Sequence, residues 1–218
     1  TNLIDGPYAD TGLGRLFRTL MTAGEDMVAM EDFSLYPPSN NQPAAFLGAK
    51  IIDDGELIGV YAIQIPEQPI NRIMQFTAGM GETGEIYLVG EDRLMRSTSR
   101  FFEGSTVLKL EVLGETFEKA LADEVGHEIV DDYRGEPVYS AYRLFSFEGI
   151  RWAVLAEMDV AEVQAPLVRA RWWIAGAFLL GIVILVLLRY MLVRIALPTS
   201  IAALLGLSMI SMESQADD

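Results

Sequence analysis

The feature that most constrains this chain is a run of 17 uncharged, almost wholly apolar residues towards its C-terminal end. The run occupies residues 172–188, with the sequence WWIAGAFLLGIVILVLL. As a helix it covers about 26 Å, close to the hydrocarbon thickness of a bilayer. A buried core helix is the alternative, but a helix that is apolar on every face needs a larger protein around it. The run therefore predicts one transmembrane helix, residues 172–193, anchored by Trp172, Trp173 and a snorkelling Arg189.

The charge is distributed unevenly on either side of this helix. Residues 1–168 carry a net charge of −16 and residues 169–218 a net charge of +1. Because an acidic surface repels polyanions, nucleic acid is excluded as a partner. The arginines that flank the two ends of the apolar run nearly cancel as an orientation signal. The acidic bulk weakly favours residues 1–168 outside the cytoplasm.

The segments before the membrane helix predict an α+β fold with antiparallel strands. Leu13, Leu16, Phe17, Leu20 and Met21 recur at helical spacing. Two strands, at residues 45–49 and 57–63, flank the hairpin signal Asp53-Asp54-Gly55. Further segments are predicted as a short helix near Ile70, strands at residues 85–89, 94–97, 137–142 and 152–157, and a helix at residues 117–121.

Four stretches, taken in order and directly before a membrane helix, resemble the double Cache sensor regions of bacterial transmembrane receptors. They are DFSLYPPSNNQPAAFLGAKIIDDGELIGVYAIQI (residues 32–65), GETGEIYLVGEDRLMRSTSRF (81–101), DYRGEPVYSAYRLF (132–145) and GIRWAVLAEMDVAEVQAPL (149–167). The similarity is to the sensor regions of Cache–HAMP adenylate/guanylate cyclases and of chemoreceptor-like proteins. It implies two PAS-like modules outside the membrane, carried on a helix.

The resemblance also implies a domain plan. Residues 1–65 are expected to be the C-terminal part of a membrane-distal Cache module, and residues 66–160 a membrane-proximal PAS-like Cache module. Residues 161–171 are expected to form a juxtamembrane helix, followed by the transmembrane helix at 172–193. Residues 194–218, with Pro198, resemble the start of a cytoplasmic HAMP-like helix. Because the chain begins at Thr1 without a signal sequence, we expect either a removed signal or an internal portion of a longer receptor.

A small-molecule pocket is the sharpest site hypothesis, because PAS-like sheets hold ligands in a concave pocket with a few convergent polar groups. Arg96 would bind a carboxylate through two parallel hydrogen bonds. Tyrosines would close the pocket and donate hydrogen bonds. The alternative is that the tyrosines pack the sheet and Arg96 pairs with an acidic neighbour. The candidate ligand-binding residues are Tyr87, Arg96, Tyr133, Tyr139 and Tyr142; in the family, ligand more often sits in the distal module, where Asp32 and Tyr36 remain.

Other chemistry is disfavoured by the residues present. The chain has no Cys and a single His, His127, so neither a thiol nucleophile nor a histidine metal cluster is available. The acidic pairs Asp53/Asp54 and Asp131/Asp132 sit beside glycines, where aspartate favours turns more than Ca²⁺. The glycine-rich segment at residues 79–84 lacks the lysine and the following helix of a phosphate loop. We expect no enzyme in these residues, no catalytic residue, no metal and no cofactor.

Two functional hypotheses remain. In the first, the chain is the periplasmic sensing region of a receptor in the bacterial inner membrane. It binds a small ligand and passes the signal through the transmembrane helix, with Glu157 and Pro198 as relay positions. A homodimer is then expected, because a single helix cannot form a HAMP-type bundle. In the second, it is a non-catalytic accessory or structural subunit of a larger membrane assembly that reuses the Cache fold.

Overall fold

The computed structural model describes residues 2–24, 27–76 and 78–196. The chain divides into two compact units, with the division after Val163. In the described residues, the first unit holds two antiparallel sheets, three short α-helices and a 3-10 turn, and residues 164–196 of the second are helical. The α+β class is confirmed, with antiparallel sheets and one long apolar helix. The five-part domain plan stays a prediction.

The first sheet has three strands in the order β1-β2-β3. Its elements are α1 (Gly12–Thr22), β1 (Val28–Tyr36), β2 (Gln42–Asp53) and β3 (Glu56–Pro66). The N-terminal end of α1 is capped by Thr11, whose side chain accepts from the Gly14 N–H. One face of α1 buries Leu16 and Leu20 against Phe46 of β2. The predicted β2–β3 hairpin is confirmed: Asp54 (φ 49°) and Gly55 (φ 79°) both adopt the left-handed backbone that a tight hairpin turn requires.

The second sheet has four strands in the order β4-β7-β6-β5. Its elements are α2 (Glu67–Met74), β4 (Glu85–Gly90), α3 (Glu115–Leu121), β5 (Gly126–Asp131), β6 (Pro137–Phe147) and β7 (Ile150–Asp159). One face packs against α3 in a core that includes Tyr87, Phe117 and Leu155. The opposite face packs against the first sheet, where Phe33 and Ala45 meet Leu88 and Trp152. The second sheet is therefore covered by α3 on one face and by the first sheet on the other, so the centre of neither face is open to solvent.

The expected returning strand at residues 94–97 is wrong. Its pairing is limited to two isolated bridges, Val89 with Met95 and Leu94 with Glu111. The left-handed backbone of Arg93 (φ 67°) turns the chain sharply there. The Arg96 N–H still reaches the Leu88 carbonyl at 2.7 Å, but the Met95 N–H turns away to Leu110 at 3.0 Å. Because each side of this run is met by a single bridge rather than by consecutive pairs, no ladder forms there.

Two strands were not predicted. In β1 the pairing with β2 slips between Glu31 and Ser34, so the bulge breaks the alternation of apolar and polar residues. In β5 the side chains alternate between half-buried and exposed positions at the sheet edge. Because neither segment shows a clean two-residue hydrophobic period, the sequence pattern that identifies strands is weak in both.

Helix α4 (Val160–Met191) begins at the residue that follows β7 and continues into a π-helical turn, Leu192–Ala196. The segment Val160–Arg194 is long and apolar enough to cross a membrane, with a mean hydropathy of 2.5 and none of its apolar window buried. Trp172 and Trp173 are 75% and 81% exposed, and Arg189 is exposed near the other end. The predicted juxtamembrane segment is part of this same helix. Pro198 and the rest of the predicted HAMP-like start lie outside the described residues.

The packing of α1 predicts a contrast between neighbouring side chains. Leu20 is fully buried, whereas Met21 beside it is 45% exposed. Leu20→Ala should reduce the free energy of unfolding by about 2–5 kcal/mol, because it leaves a cavity under the first sheet. Met21→Ala should change it by about 0.5 kcal/mol or less. Chemical denaturation of both variants measures this, and equal losses would contradict the packing.

Candidate functional site

Arg96 is the centre of a buried ion pair that joins the two sheets. The side chain is 4% exposed. Its Nε and Nη2 atoms bind the two carboxylate oxygens of Asp32 in β1 at 2.9–3.1 Å, and Nη2 also binds Asp92 at 2.9 Å. The indole N–H of Trp152 donates to the same Asp32 carboxylate at 3.1 Å. Burial by itself lowers the pKa of Arg96. The hydrogen bonds that Arg96 donates to the Asp32 and Asp92 carboxylates have the larger effect, so the pKa of Arg96 is raised.

This placement corresponds to the alternative in which Arg96 pairs with acidic neighbours. The carboxylates that face its guanidinium belong to Asp32 and Asp92, and its Nη1 donates to the Leu94 carbonyl at 2.8 Å. A ligand carboxylate would have to displace one of them. A binding role for Arg96 therefore stays a prediction, and Asp32 acquires a structural partner that its sequence context did not reveal.

A row of polar side chains crosses the second sheet on the face covered by α3. Glu157 of β7 lies opposite Glu85 of β4 and opposite Ser140 of β6. Its two carboxylate oxygens accept hydrogen bonds from Tyr87 and Ser140, each at 2.8 Å. Burial, followed by the charge and hydrogen bond of Glu157, raises the pKa of Tyr87. Glu157 was predicted only as a relay position, yet it is the central acceptor of this row.

Glu85 organises the neighbouring half of the same face. Its carboxylate accepts from the Tyr133 hydroxyl and, at 2.7 Å, from the backbone N–H of Arg100. The Tyr133 hydroxyl also lies 2.8 Å from the Ser99 hydroxyl. Burial and the Glu85 hydrogen bond raise the pKa of Tyr133. The rings of Tyr87 and Tyr133 meet edge to face at 5.3 Å, so the two carboxylates and two tyrosines form one cluster.

The remaining predicted tyrosines lie apart from this cluster. The Tyr142 hydroxyl donates to Glu128 at 3.0 Å, where Lys119 also binds that carboxylate. Burial and the Glu128 hydrogen bond raise the pKa of Tyr142. Tyr139 alternates with the buried Val138 and Ser140 and is half-buried on the opposite face of β6. The structure therefore brings Tyr87 and Tyr133 together, places Tyr142 at the side of their core, and separates Arg96 and Tyr139 from them.

The tyrosine cluster is packed rather than open. Tyr87 is 1% exposed and Ser140 is fully buried. In the part of the chain that the structure describes, every buried side-chain nitrogen and oxygen has a hydrogen-bond partner. Open space lies elsewhere: a cavity of about 300 Å³ touches Leu3, Tyr8, Leu13, Tyr36 and Pro38. A wholly apolar groove of about 380 Å³ is lined by Met30, Ile65, Ile70, Ile73, Met74, Leu88, Phe145, Phe147, Trp152 and Val154.

The glycine-rich segment at residues 79–84 binds the first turn of α4. The backbone N–H groups of Glu82 and Thr83 donate to the Glu162 carboxylate at 2.9 and 2.8 Å, and the Thr83 hydroxyl donates to it as well. A side chain at Gly81 (φ 65°) would collide with that carboxylate. The Thr83 hydrogen bonds, with the Glu82 N–H, lower the pKa of Glu162. The loop is thus an internal carboxylate clip, a role that its sequence did not distinguish from a flexible entry to β4.

In the acidic pair Asp131/Asp132, Asp132 binds groups of its own turn. Asp132 accepts from the Arg134 N–H at 2.7 Å and pairs with the Arg134 guanidinium at 2.6 Å. Arg134 also pairs with Asp159 at the end of β7, at 2.6 Å. Within residues 2–24, 27–76 and 78–196, no group of three or more His, Cys, Asp or Glu side chains is arranged to hold a metal ion.

Comparison with known proteins gives a fold and no family. No protein-family model and no curated protein matches the sequence. The periplasmic sensory domain of the Campylobacter jejuni chemoreceptor Tlp1 matches with a TM-score of 0.58 and 19% identity, over 72% of this chain and 58% of that one. The extracellular domain of the putative histidine kinase mmHK1S-Z3 matches with a TM-score of 0.52 and 14% identity, over 71% and 56%. The chain thus shares the fold of periplasmic sensor domains and spans less than two thirds of each.

The Arg96 ion pair predicts a difference between its two acidic partners. The Asp32 side chain is 32% exposed and binds Arg96 through both oxygens, whereas that of Asp92 is 47% exposed and binds through one. Asp32→Asn should reduce the free energy of unfolding by about 1.5–3 kcal/mol, because a buried guanidinium loses its charged partner. Asp92→Asn should cost less than about 1 kcal/mol. Chemical denaturation of both variants checks this, and an equal or reversed order would refute the assignment.

Proposed function

We propose that this chain is the extracytoplasmic sensing region of a bacterial membrane receptor. It binds a small ligand outside the membrane and passes the signal through α4 to the cytoplasm. The observation that carries the proposal is the direct passage from β7 into α4. A central strand of the sensor sheet and the membrane helix are one uninterrupted piece of chain.

The fold supports the sensor role by analogy. The periplasmic sensory domain of a chemoreceptor and the extracellular domain of a putative histidine kinase share it. Fold alone does not fix function, which depends on a site built on it. The acidic charge of residues 1–168 and the apolar α4 agree with a domain held outside a membrane.

The contacts around β7 supply a route for a displacement. β7 lies between β4 and β6, so a change in the curvature of the sheet moves it. Asp159 at its end binds Arg134 at 2.6 Å, and its N–H donates to Thr83 at 3.2 Å. Glu162, the third residue of α4, is held by the clip at Gly81–Thr83. A ligand that favours one arrangement of the sheet would therefore bias the position of the first turn of α4.

The cavity beside Tyr36 is the space that we assign to the ligand. Two phenol groups, of Tyr8 and Tyr36, and the apolar side chains of Leu3 and Leu13 line its about 300 Å³. A volume of this size, with apolar walls and few polar groups, suits a small metabolite. The wall formed by Tyr36 is rigid, because its ring packs edge to face on Phe46 at 4.8 Å.

The remaining parts of the proposal concern assembly and placement. We infer that the receptor resides in the inner membrane with residues 1–168 in the periplasm. It acts as a homodimer, since two membrane helices are needed to form a bundle that can switch. The chain acts by binding and displacement rather than by catalysis.

Ligand-dependent melting tests the proposal. The chain in lipid nanodiscs, screened against amino acids and organic acids, should gain about 2.7 kcal/mol of stability at a ligand concentration 100 times Kd. Leu13→Trp, which fills the cavity, should abolish the shift. Leu35→Trp on the 57% exposed Leu35 should preserve it and serves as the matched control. A panel that produces no shift, or a shift that Leu13→Trp leaves intact, would count against the ligand cavity.

A further inference from the structure

Two buried carboxylates lie side by side on the second sheet, just before the membrane helix. Glu157 and Glu85 are 5% and 6% exposed and are direct cross-strand partners. Such partners have their Cβ atoms about 4.5–5.5 Å apart. Among the ion pairs of the described residues, none involves either glutamate. A carboxylate that is buried without a cation is stable as an anion only through its hydrogen bonds.

The groups that face Glu157 come from every element around it. β4 contributes Glu85 and the phenol of Tyr87, and β6 contributes the hydroxyl of Ser140. α3 contributes the hydroxyl of Thr116, which lies 3.4 Å from Ser140. The β5–β6 turn contributes Asp132, which is paired with Arg134, and Tyr133, which binds Glu85. The surroundings therefore hold two further acids and four hydroxyl groups that can rotate.

We propose that Glu157 takes up a proton when the outside medium becomes mildly acidic, and that this proton switches the hydrogen bonds of the strand that leads into α4. The inference deepens the proposed function and rests on it: the same receptor would respond to pH as well as to its ligand. The proton site is distinct from the ligand cavity, which lies on the first sheet.

The single proton of Ser140 makes two arrangements possible. Its hydroxyl lies 2.8 Å from a Glu157 oxygen and 3.4 Å from the Thr116 hydroxyl, and it can donate to only one of them. With Glu157 ionised, Ser140 donates to the carboxylate. With Glu157 protonated, the carboxylic acid donates to Ser140, which then donates to Thr116. In both states each of these polar groups has a hydrogen-bond partner. Protonation strengthens the hydrogen bond from Ser140 of β6 to Thr116 of α3, and it removes the charge-assisted bond from Ser140 to Glu157 of β7.

The surroundings of Glu157 shift its pKa upward. Burial raises the pKa of Glu157, the Ser140 and Tyr87 hydrogen bonds lower it, and the charges of Asp132 and Glu85 raise it, with a net increase above the ordinary value. The ionised form is thus disfavoured in the folded protein relative to the unfolded chain. The stability contributed by this group is therefore lost as the pH rises from the ordinary pKa of glutamate through the raised one.

The position of Glu157 connects the proton to the helix. Two residues separate it from Val160, where α4 begins, and the intervening Asp159 is bound on both sides by Arg134 and Thr83. Glu85, its neighbour, begins the strand that follows the Gly81–Thr83 clip on Glu162. A change in the bonds of Glu157 therefore acts on a segment whose next contacts are those of the first turn of α4.

Titration of the full chain in lipid nanodiscs tests the proton site. Infrared difference spectra between about pH 4 and about pH 8 should show a protonated carboxylic acid that persists above the ordinary pKa of glutamate. That band should be absent from Glu157→Gln and present in Glu103→Gln, which removes an exposed acid. The melting temperature of Glu157→Gln relative to the wild-type chain should rise by about 2–4 °C or more across the same interval. A Glu157 that stays ionised throughout would overturn the proposal, and the wild-type spectrum decides this even if the variant fails to fold.

Two spin labels test the switch itself. Because the chain has no Cys, the exposed Ala141→Cys on β6 and Ala161→Cys on α4 give a unique pair. The distance between the labels should change with pH in the wild-type background and stay constant in Glu157→Gln. If the distance between the labels does not change with pH while Glu157 titrates, the proposed switch is wrong. Ligand-dependent melting at fixed pH in the Glu157→Gln variant separates the two proposals, since it requires the ligand cavity and not the proton.

Discussion

The passage from β7 into α4 without a loop is the constraint on which the rest of the structure depends. A membrane helix that leaves directly from a central strand leaves that strand no freedom to slip, because it is paired on both sides. The chain fixes the junction with charge-assisted bonds rather than apolar packing. Arg134 binds Asp159, and the Gly81–Thr83 loop binds Glu162. Both contacts bind residues on either side of the point where strand becomes helix.

The Arg96 ion pair extends this connection to the first sheet. Asp32 lies in β1, Trp152 in β7, and Arg96 between them beside β4. A buried pair of this kind adds little net stability compared with apolar packing, but it is costly to break. Its geometry, with three side-chain donors converging on Asp32, sets how the sheet that borders the cavity beside Tyr36 is placed on the sheet that carries α4. The two sheets thus meet at an interaction with few alternative arrangements.

The sequence predicted the elements whose patterns are local. The apolar run, the hairpin at Asp54-Gly55 and the amphipathic α1 each carry their signal within a few residues. The bulged β1 and the edge strand β5 do not, and residues 94–97 carry a strand pattern although their pairing is limited to two isolated bridges. The resemblance to sensor regions anticipated the fold that the structural neighbours share.

The candidate site was less predictable, because its contacts join residues far apart in the chain. Tyr87 and Tyr133 were chosen for their chemistry, but nothing local to either residue indicates Glu157 or Glu85 as its partner. Glu162 is 80 residues from Glu82 and 79 residues from Thr83 in the sequence, and the loop that holds these two residues has the composition of a flexible linker. The sequence leaves open whether Arg96 binds a ligand or pairs with an acidic neighbour, and nothing local to it indicates Asp32, 64 positions away, as that neighbour.

The proposed receptor depends on a direct connection between β7 and the first turn of α4, held by the Gly81–Thr83 clip. Amide hydrogen exchange of the chain in lipid nanodiscs, followed at Glu82, Thr83 and Asp159, tests this connection. The amides of Glu82 and Thr83 donate to the Glu162 carboxylate and that of Asp159 donates to the Thr83 hydroxyl, so slow exchange is expected at all three. Glu162→Ala should speed exchange at Glu82 and Thr83 while leaving the exchange of β6 unchanged. Rapid exchange of these amides in the wild-type chain, or no effect of Glu162→Ala, would contradict the connection between the sheet and the first turn of the helix.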